Sequence, residues 1–168
     1  MHEGDCLEIL KFMPDESVNC IVTSPPYWGL RDYGHGGQIG LETSFIEYLA
    51  RLVEVFEECR RVLRKDGTMW VNMGDSYSSQ GGGKPAGKYH HNTGQGQNRQ
   101  SSGQPSRTPI DGLPAKNLIG QPWRLAFALQ DAGWILRSDI IWHKPNPMPE
   151  SVTDRPTRAH EYVFLFVK

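Results

Sequence analysis

The feature that most constrains this chain is the stretch VNCIVTSPPYW, Val18 to Trp28. Val18 to Val22 is a short apolar, β-branched run, the pattern of a buried strand. Pro25 and Pro26 end it at once, because neither can donate a hydrogen bond to a sheet ladder. A stiff polar turn with two aromatic rings, Tyr27 and Trp28, follows. Open α/β sheets carry their chemistry at the carboxyl edge of parallel strands, which is where such a turn would lie.

The rest of the chain supplies the elements of an α/β fold. Gly4-Asp5 leads into a short amphipathic segment from Leu7, and Pro14-Asp15-Glu16-Ser17 makes a turn. From Ser44 to Arg64 the pattern is helical. Phe45, Leu49, Leu52, Val53, Phe56 and Leu63 recur at three- and four-residue spacing. Ser44 with Glu47 forms a capping box, and Gly67 is read as the stop. Gly67 to Met73 is a second strand, parallel to the first because a long helix joins them. Asn72 and Asp75 then fall near the same edge as Ser24. Gln121 to Ala132 is a helix with Pro122 at its first position and Gly133 beyond it. Trp134 to Trp142 and His160 to Lys168 are strands with no helix between them, hence an antiparallel pair.

Two segments stand apart. Gly29 to Leu41 is glycine-rich and reads as a mobile loop, with Arg31, Tyr33 and His35 as candidates for phosphate or base contact. From about residue 76 to 110, Gly, Ser, Gln and Asn dominate. Lys84, Lys88, Arg99 and Arg107 occur there with no acidic residue between them. Such a segment cannot bury enough surface to fold alone, and it reads as a flexible basic arm for a phosphate backbone.

At 168 residues, with 38% hydrophobic and 22% charged residues, the composition is that of one globular domain spanning 1–168. A net charge of -1 means that any nucleic-acid contact must come from local basic clusters. Cys6, Cys20 and Cys59 have no paired or metal-ligand spacing, so no metal site is expected and a reducing cytoplasm fits. No apolar run approaches the roughly 18 residues that a membrane helix needs, so no membrane contact is expected.

Ser24-Pro25-Pro26-Tyr27 resembles the catalytic motif of the DNA amino-methyltransferases, which methylate the exocyclic nitrogen of cytosine or adenine. Such an amine is a poor nucleophile, because its lone pair is delocalised into the ring. The Ser24 hydroxyl and the Pro25 carbonyl can accept its two hydrogens and favour a pyramidal nitrogen, with Pro25 and Pro26 fixing the carbonyl's direction. Tyr27 can stack on a base rotated out of the duplex. The later residues Trp142, Lys144 and Asn146, then Arg158 and His160-Glu161 before an apolar strand, also resemble this family. The motif order is that of its beta-type members.

The resemblance implies a Rossmann-like S-adenosylmethionine-dependent fold, mostly parallel with an antiparallel terminal strand pair. It implies S-adenosyl-L-methionine as cofactor, double-stranded DNA as partner, and the setting of restriction and modification. Asp5 would accept from the adenine of the cofactor; read on its own, it equally caps the Leu7 helix. Trp28, Arg31, Lys84, Lys88, Lys144 and Asn146 would contact DNA. Ser rather than Asp before Pro-Pro-Tyr favours cytosine N4 over adenine N6. The absence of a Cys after the proline argues against methylation of the ring carbon. The family's Phe-x-Gly-x-Gly cofactor loop has no counterpart here, so the fold is expected to be incomplete, with a second polypeptide or a lost segment supplying that half.

Overall fold

The structure is a computed structural model and describes residues 2–78 and 113–168. Within them the chain forms two compact units. One comprises Met1–Pro25, Leu49–Ser76 and Gly120–Lys168; the other comprises Pro26–Tyr48 and Tyr77–Ile119.

The first unit holds four strands in one sheet: β1 (Val18–Thr23), β2 (Leu63–Met73), β3 (Ile135–His143) and β4 (His160–Val167). The helices are α1 (Cys6–Phe12), α2 (Phe45–Val62), which belongs to this unit from Leu49 on, and α3 (Gln121–Asp131). The strand order is β1-β2-β4-β3. β1 and β2 are parallel, as a helical crossover demands, and β3 and β4 form the expected antiparallel pair. β4 also lies antiparallel to β2. The sheet is therefore mixed rather than mostly parallel, with one parallel pairing among the three described. The helix-free return after β3 brings β4 back in the opposite direction, and β4 inserts between β3 and β2.

The two sides of the sheet differ. One carries Met69, Val71 and Met73 of β2 with Phe164 and Phe166 of β4, all buried. Trp123 of α3 meets Phe164 edge-on at 5.1 Å and Tyr162 at 5.7 Å, so α3 covers this side. Leu125, Ala126 and Leu129 bury the same helix. The other side carries Cys20, Val22, Trp70, Asn72, Glu161, Ile140 and Trp142. Val22 is 78% exposed and Trp142 52%. The expectation that β1 and Cys20 are buried is thus corrected: β1 is an edge strand among the described residues, and only its Ile21 side faces packed structure.

Gly67 does not stop a helix. α2 ends at Val62, and β2 begins four residues before Gly67 because Val18 pairs with Leu63. A Cβ on Gly67 would come within 2.8 Å of Leu63 and 2.9 Å of the Asn19 carbonyl, so the approach of β1 to β2 requires glycine here. Arg61 ties the end of α2 to α1, donating to the Leu10 carbonyl at 2.7 Å and the Met13 carbonyl at 2.9 Å.

In the second unit, Ser44 and Glu47 form the reciprocal capping box, with both bonds at 3.1 Å. Among the described residues, a short antiparallel bridge joins 77–78 to 116–118. Tyr77 pairs with Leu118, and Ser78 exchanges backbone bonds of 2.8 Å with Asn117 and Lys116. Lys84, Lys88, Arg99 and Arg107 lie outside the described residues. Among the described residues no helix is long and apolar enough to cross a membrane, and no group of side chains could hold a metal ion.

Candidate active site

The unit boundary falls inside the motif: Ser24 and Pro25 belong to the first unit, Pro26 to Trp28 to the second. Each half is held by its own surroundings.

In the first unit, β1 ends at Thr23, level with Val71 of β2. Ser24 is consequently carried to the level of Asn72, and its exposed hydroxyl donates to Asn72 Oδ1 at 3.3 Å. Asn72 Nδ2 donates in turn to Glu161 Oε2 at 3.2 Å and to the Tyr162 carbonyl at 3.1 Å. Glu161 is also paired with Lys144, whose ammonium sits 5.5 Å from the centre of the Trp142 ring. A polar chain thus runs along the exposed side of the sheet from Lys144 through Glu161 and Asn72 to the motif serine.

Asp75, three residues after Asn72, has a different role. Oδ1 accepts from the backbone of Ser76 at 2.8 Å, Gly120 at 2.9 Å and Gln121 at 3.0 Å, and Oδ2 accepts from Gly120 at 3.0 Å. Gly120 is the N-cap of α3 and has no side chain to cap with, at φ 75°. Asp75 satisfies those amides from a distance in sequence. Its carboxylate is engaged by the chain's own backbone rather than left to solvent.

In the second unit, the Tyr48 hydroxyl donates to the Pro26 carbonyl at 2.8 Å. Tyr48 is fully buried, and burial, with Glu42 and Tyr27 nearby, holds its phenol far above the ordinary value. It therefore stays a donor and fixes the second proline. Trp28 is 7% exposed; its indole donates to the Glu42 carbonyl at 3.2 Å and its ring meets Phe45 edge-on at 5.5 Å. The expectation that Trp28 contacts DNA is corrected: packing and hydrogen bonding commit it to the interior. The Gly29–Leu41 loop closes on itself. Gly29 donates to the Gly40 carbonyl at 2.8 Å, and Gln38 bonds both the Tyr33 amide and the Arg31 carbonyl. A Cβ at Gly40, φ 103°, would come within 3.2 Å of the Tyr27 carbonyl, so glycine holds that loop against the motif. The Arg31 side chain is exposed.

Of the remaining expected residues, Asn146 is exposed, while Lys144 is engaged with Glu161. Asp5 caps α1, accepting from Leu7 at 2.9 Å and Glu8 at 3.1 Å through one oxygen. Glu161 stands in the sequence only as part of the family-like His160-Glu161 pair, with no role given to it. Its pairing with Asn72 and Lys144 follows from its place opposite Trp142, two residues from Lys144, in the β3–β4 register.

Residues 18–168 match the family model described as DNA methylase, of the N6/N4 type. The chain belongs to this DNA methylase family. It is 56% identical over all 168 residues to the type II methyltransferase M.Cfr9I of Citrobacter freundii, of which it covers 54%. This DNA methylase chain thus spans about half the length of the curated relatives it matches. Among solved structures it resembles a DNA modification methylase of Thermus thermophilus solved with S-adenosyl-L-methionine, at 24% identity and a TM-score of 0.63 over 99% of this chain and 54% of that one. It also resembles the PvuII cytosine-N4-specific DNA methyltransferase, at 21% identity and the same TM-score over 99% of this chain and 48% of that one. These two likenesses show the α/β methyltransferase fold.

Proposed function

We propose that this chain is the catalytic half of a DNA methyltransferase that modifies the exocyclic N4 of cytosine in double-stranded DNA, with S-adenosyl-L-methionine as methyl donor. The observation that carries this reading is the exposed Ser24 hydroxyl, held by Asn72 at the carboxyl end of β1 and followed by the rigid Pro25-Pro26. Ser24 Oγ and the Pro25 carbonyl accept the two amine hydrogens and so localise the nitrogen lone pair. Tyr48 already occupies the Pro26 carbonyl, which leaves Pro25 as the motif carbonyl assigned to the substrate. Tyr27 is assigned to stacking on the extruded base. Arg31, Asn146 and the basic residues Lys84 and Lys88 are assigned to DNA. Serine in place of aspartate before Pro-Pro-Tyr supports cytosine over adenine.

The described residues do not by themselves fit the whole cofactor. Asp5 lies beside Gly4 at the start of α1, but one of its carboxylate oxygens already serves the helix. No Phe-x-Gly-x-Gly sequence occurs in the chain, and the glycine-rich loop that joins β1 to α2, Gly29–Leu41, follows the Ser24–Tyr27 motif instead. The remaining contacts are assigned to the half of the relatives that this chain does not cover, on the same or a second polypeptide.

The test is nucleoside mass spectrometry of DNA from a methylation-free host. The host would express the chain alone or joined to the complementary half of the Citrobacter relative. N4-methylcytosine is expected in the joined protein. N6-methyladenine alone would overturn the base assignment, and no methylation in either arm would overturn the enzymatic reading.

A further inference from the structure

The hydrogen-bond chain behind Ser24 has a fixed polarity. A carboxylate and a main-chain carbonyl can only accept, so both groups facing the far side of Asn72 require its Nδ2 there. Lys144 keeps Glu161 paired and supplies its charge balance. The Asn72 amide is therefore not free to turn over, and Oδ1 must face β1. An amide oxygen cannot donate, so the bond between Ser24 and Asn72 runs one way, with the serine hydroxyl as donor. Once that proton is committed, Ser24 Oγ can meet a substrate N–H only as an acceptor. Were Asn72 reversed, its Nδ2 would donate to Ser24, and the serine hydroxyl hydrogen would turn toward the amine and repel it.

We infer that Asn72 is a positioning residue which, oriented by Glu161 and the Tyr162 carbonyl, holds the Ser24 hydroxyl in the acceptor state that the amine requires. This rests on the function proposed above for Ser24. Glu161 and Lys144 act one step further out: they set which atom of Asn72 faces the serine. Preorganisation of this kind removes reorientation of a dipole from the reaction step.

The polarity can be inverted by substitution. In Glu161→Gln the new amide keeps its oxygen toward Lys144 and presents NH2 to Asn72, so it and the Tyr162 carbonyl make opposite demands on the Asn72 amide, whose orientation is no longer fixed. In Asn72→Asp the serine keeps its acceptor, but two carboxylates then face each other. In the double variant N72D/E161Q, the introduced glutamine amide would donate to the introduced aspartate, while the Tyr162 carbonyl loses the donor it has in the parent. That aspartate would still accept from Ser24, and Lys144 would keep an oxygen partner. In the joined protein, each single variant is expected to lower the single-turnover methylation rate, on the order of a hundredfold, with little change in DNA affinity. The double variant is expected to recover to within about tenfold of the parent. A Glu161→Gln variant that methylates normally, or a double variant no faster than the slower single, would overturn the inference.

A second readout is independent of methylation. The Asn72 side-chain NH2 resonances of the unsubstituted chain are expected to show two hydrogen-bonded, slowly exchanging protons that shift on Glu161→Gln. Fast exchange typical of a solvated asparagine would overturn the network even if the enzyme is active. If the network is seen but the joined parent does not methylate DNA, the functional reading fails and the network stands as a structural feature only.

Discussion

Two polar side chains leave the end of β2 three residues apart, and they serve opposite ends. Asp75 turns inward to the chain's own backbone, where Ser76, Gly120 and Gln121 donate to its carboxylate and the start of α3 is fixed. Asn72 also makes several bonds, but its chain of partners includes the exposed hydroxyl of Ser24. One cluster closes on itself and holds the fold. The other orients an exposed hydroxyl. A polar network that directs an exposed atom is the one to read as a site; a network saturated by main-chain amides is a joint.

Substitution separates the two. The largest effect is expected from Ser24→Ala in the joined protein: methylation falls at least about a hundredfold, while the melting midpoint in denaturant stays near that of the parent. Asp75→Ala should do the reverse to stability, costing about 2 kcal/mol through lost charge-assisted bonds at a helix start. Urea unfolding followed by circular dichroism measures that cost. If Ser24→Ala unfolds the chain, or Asp75→Ala is neutral, the division between site and joint is wrong.

A third, smaller effect tests the other half of the motif. Tyr48→Phe removes the donor from the Pro26 carbonyl without changing the packed ring, and should cost about 1 kcal/mol in the same assay. The fourth prediction follows from burial of a thiol. Desolvation pushes the Cys59 thiol up to about 12, with Cys6 and Glu58 adding to it. A raised thiol pKa disfavours the reactive thiolate, so at pH 8 iodoacetamide should modify exposed Cys20 and spare Cys59 until the chain opens. Cys59 then reports opening directly. Its alkylation should begin at lower urea in Asp75→Ala than in Ser24→Ala, as read by peptide mass spectrometry.

Local signals in the sequence are legible, and long-range ones are not. The Ser44–Glu47 cap, Pro122 at the head of α3 and the two apolar strands at the carboxyl end all announce themselves within a few residues. The parallel β1–β2 pair follows from the helix between them. The position of β4 between β2 and β3 does not follow, because a hairpin specifies its own pairing and not the third strand it joins. Asp75 is hidden for a similar reason. Its partners lie 45 and 46 residues away, although an uncapped Gly120 before Pro122 hints that the cap has to come from elsewhere. Trp28 looks available because aromatic residues beside Ser-Pro-Pro-Tyr invite a stacking role, yet its indole is spent on Glu42 and Phe45. Ser24 is found from its motif, but the reason it points and donates as it does lies in Asn72 and Glu161. That requires the register of three strands.

In the proposed reaction the Ser24 hydroxyl accepts from the amine of a base in DNA. The most direct measurement is nucleoside mass spectrometry on DNA methylated by the joined protein, parent against Ser24→Ala, at matched protein level and matched DNA affinity. N4-methylcytosine is expected from the parent, with its near disappearance in the variant. Equal N4-methylcytosine from both would contradict that role of Ser24.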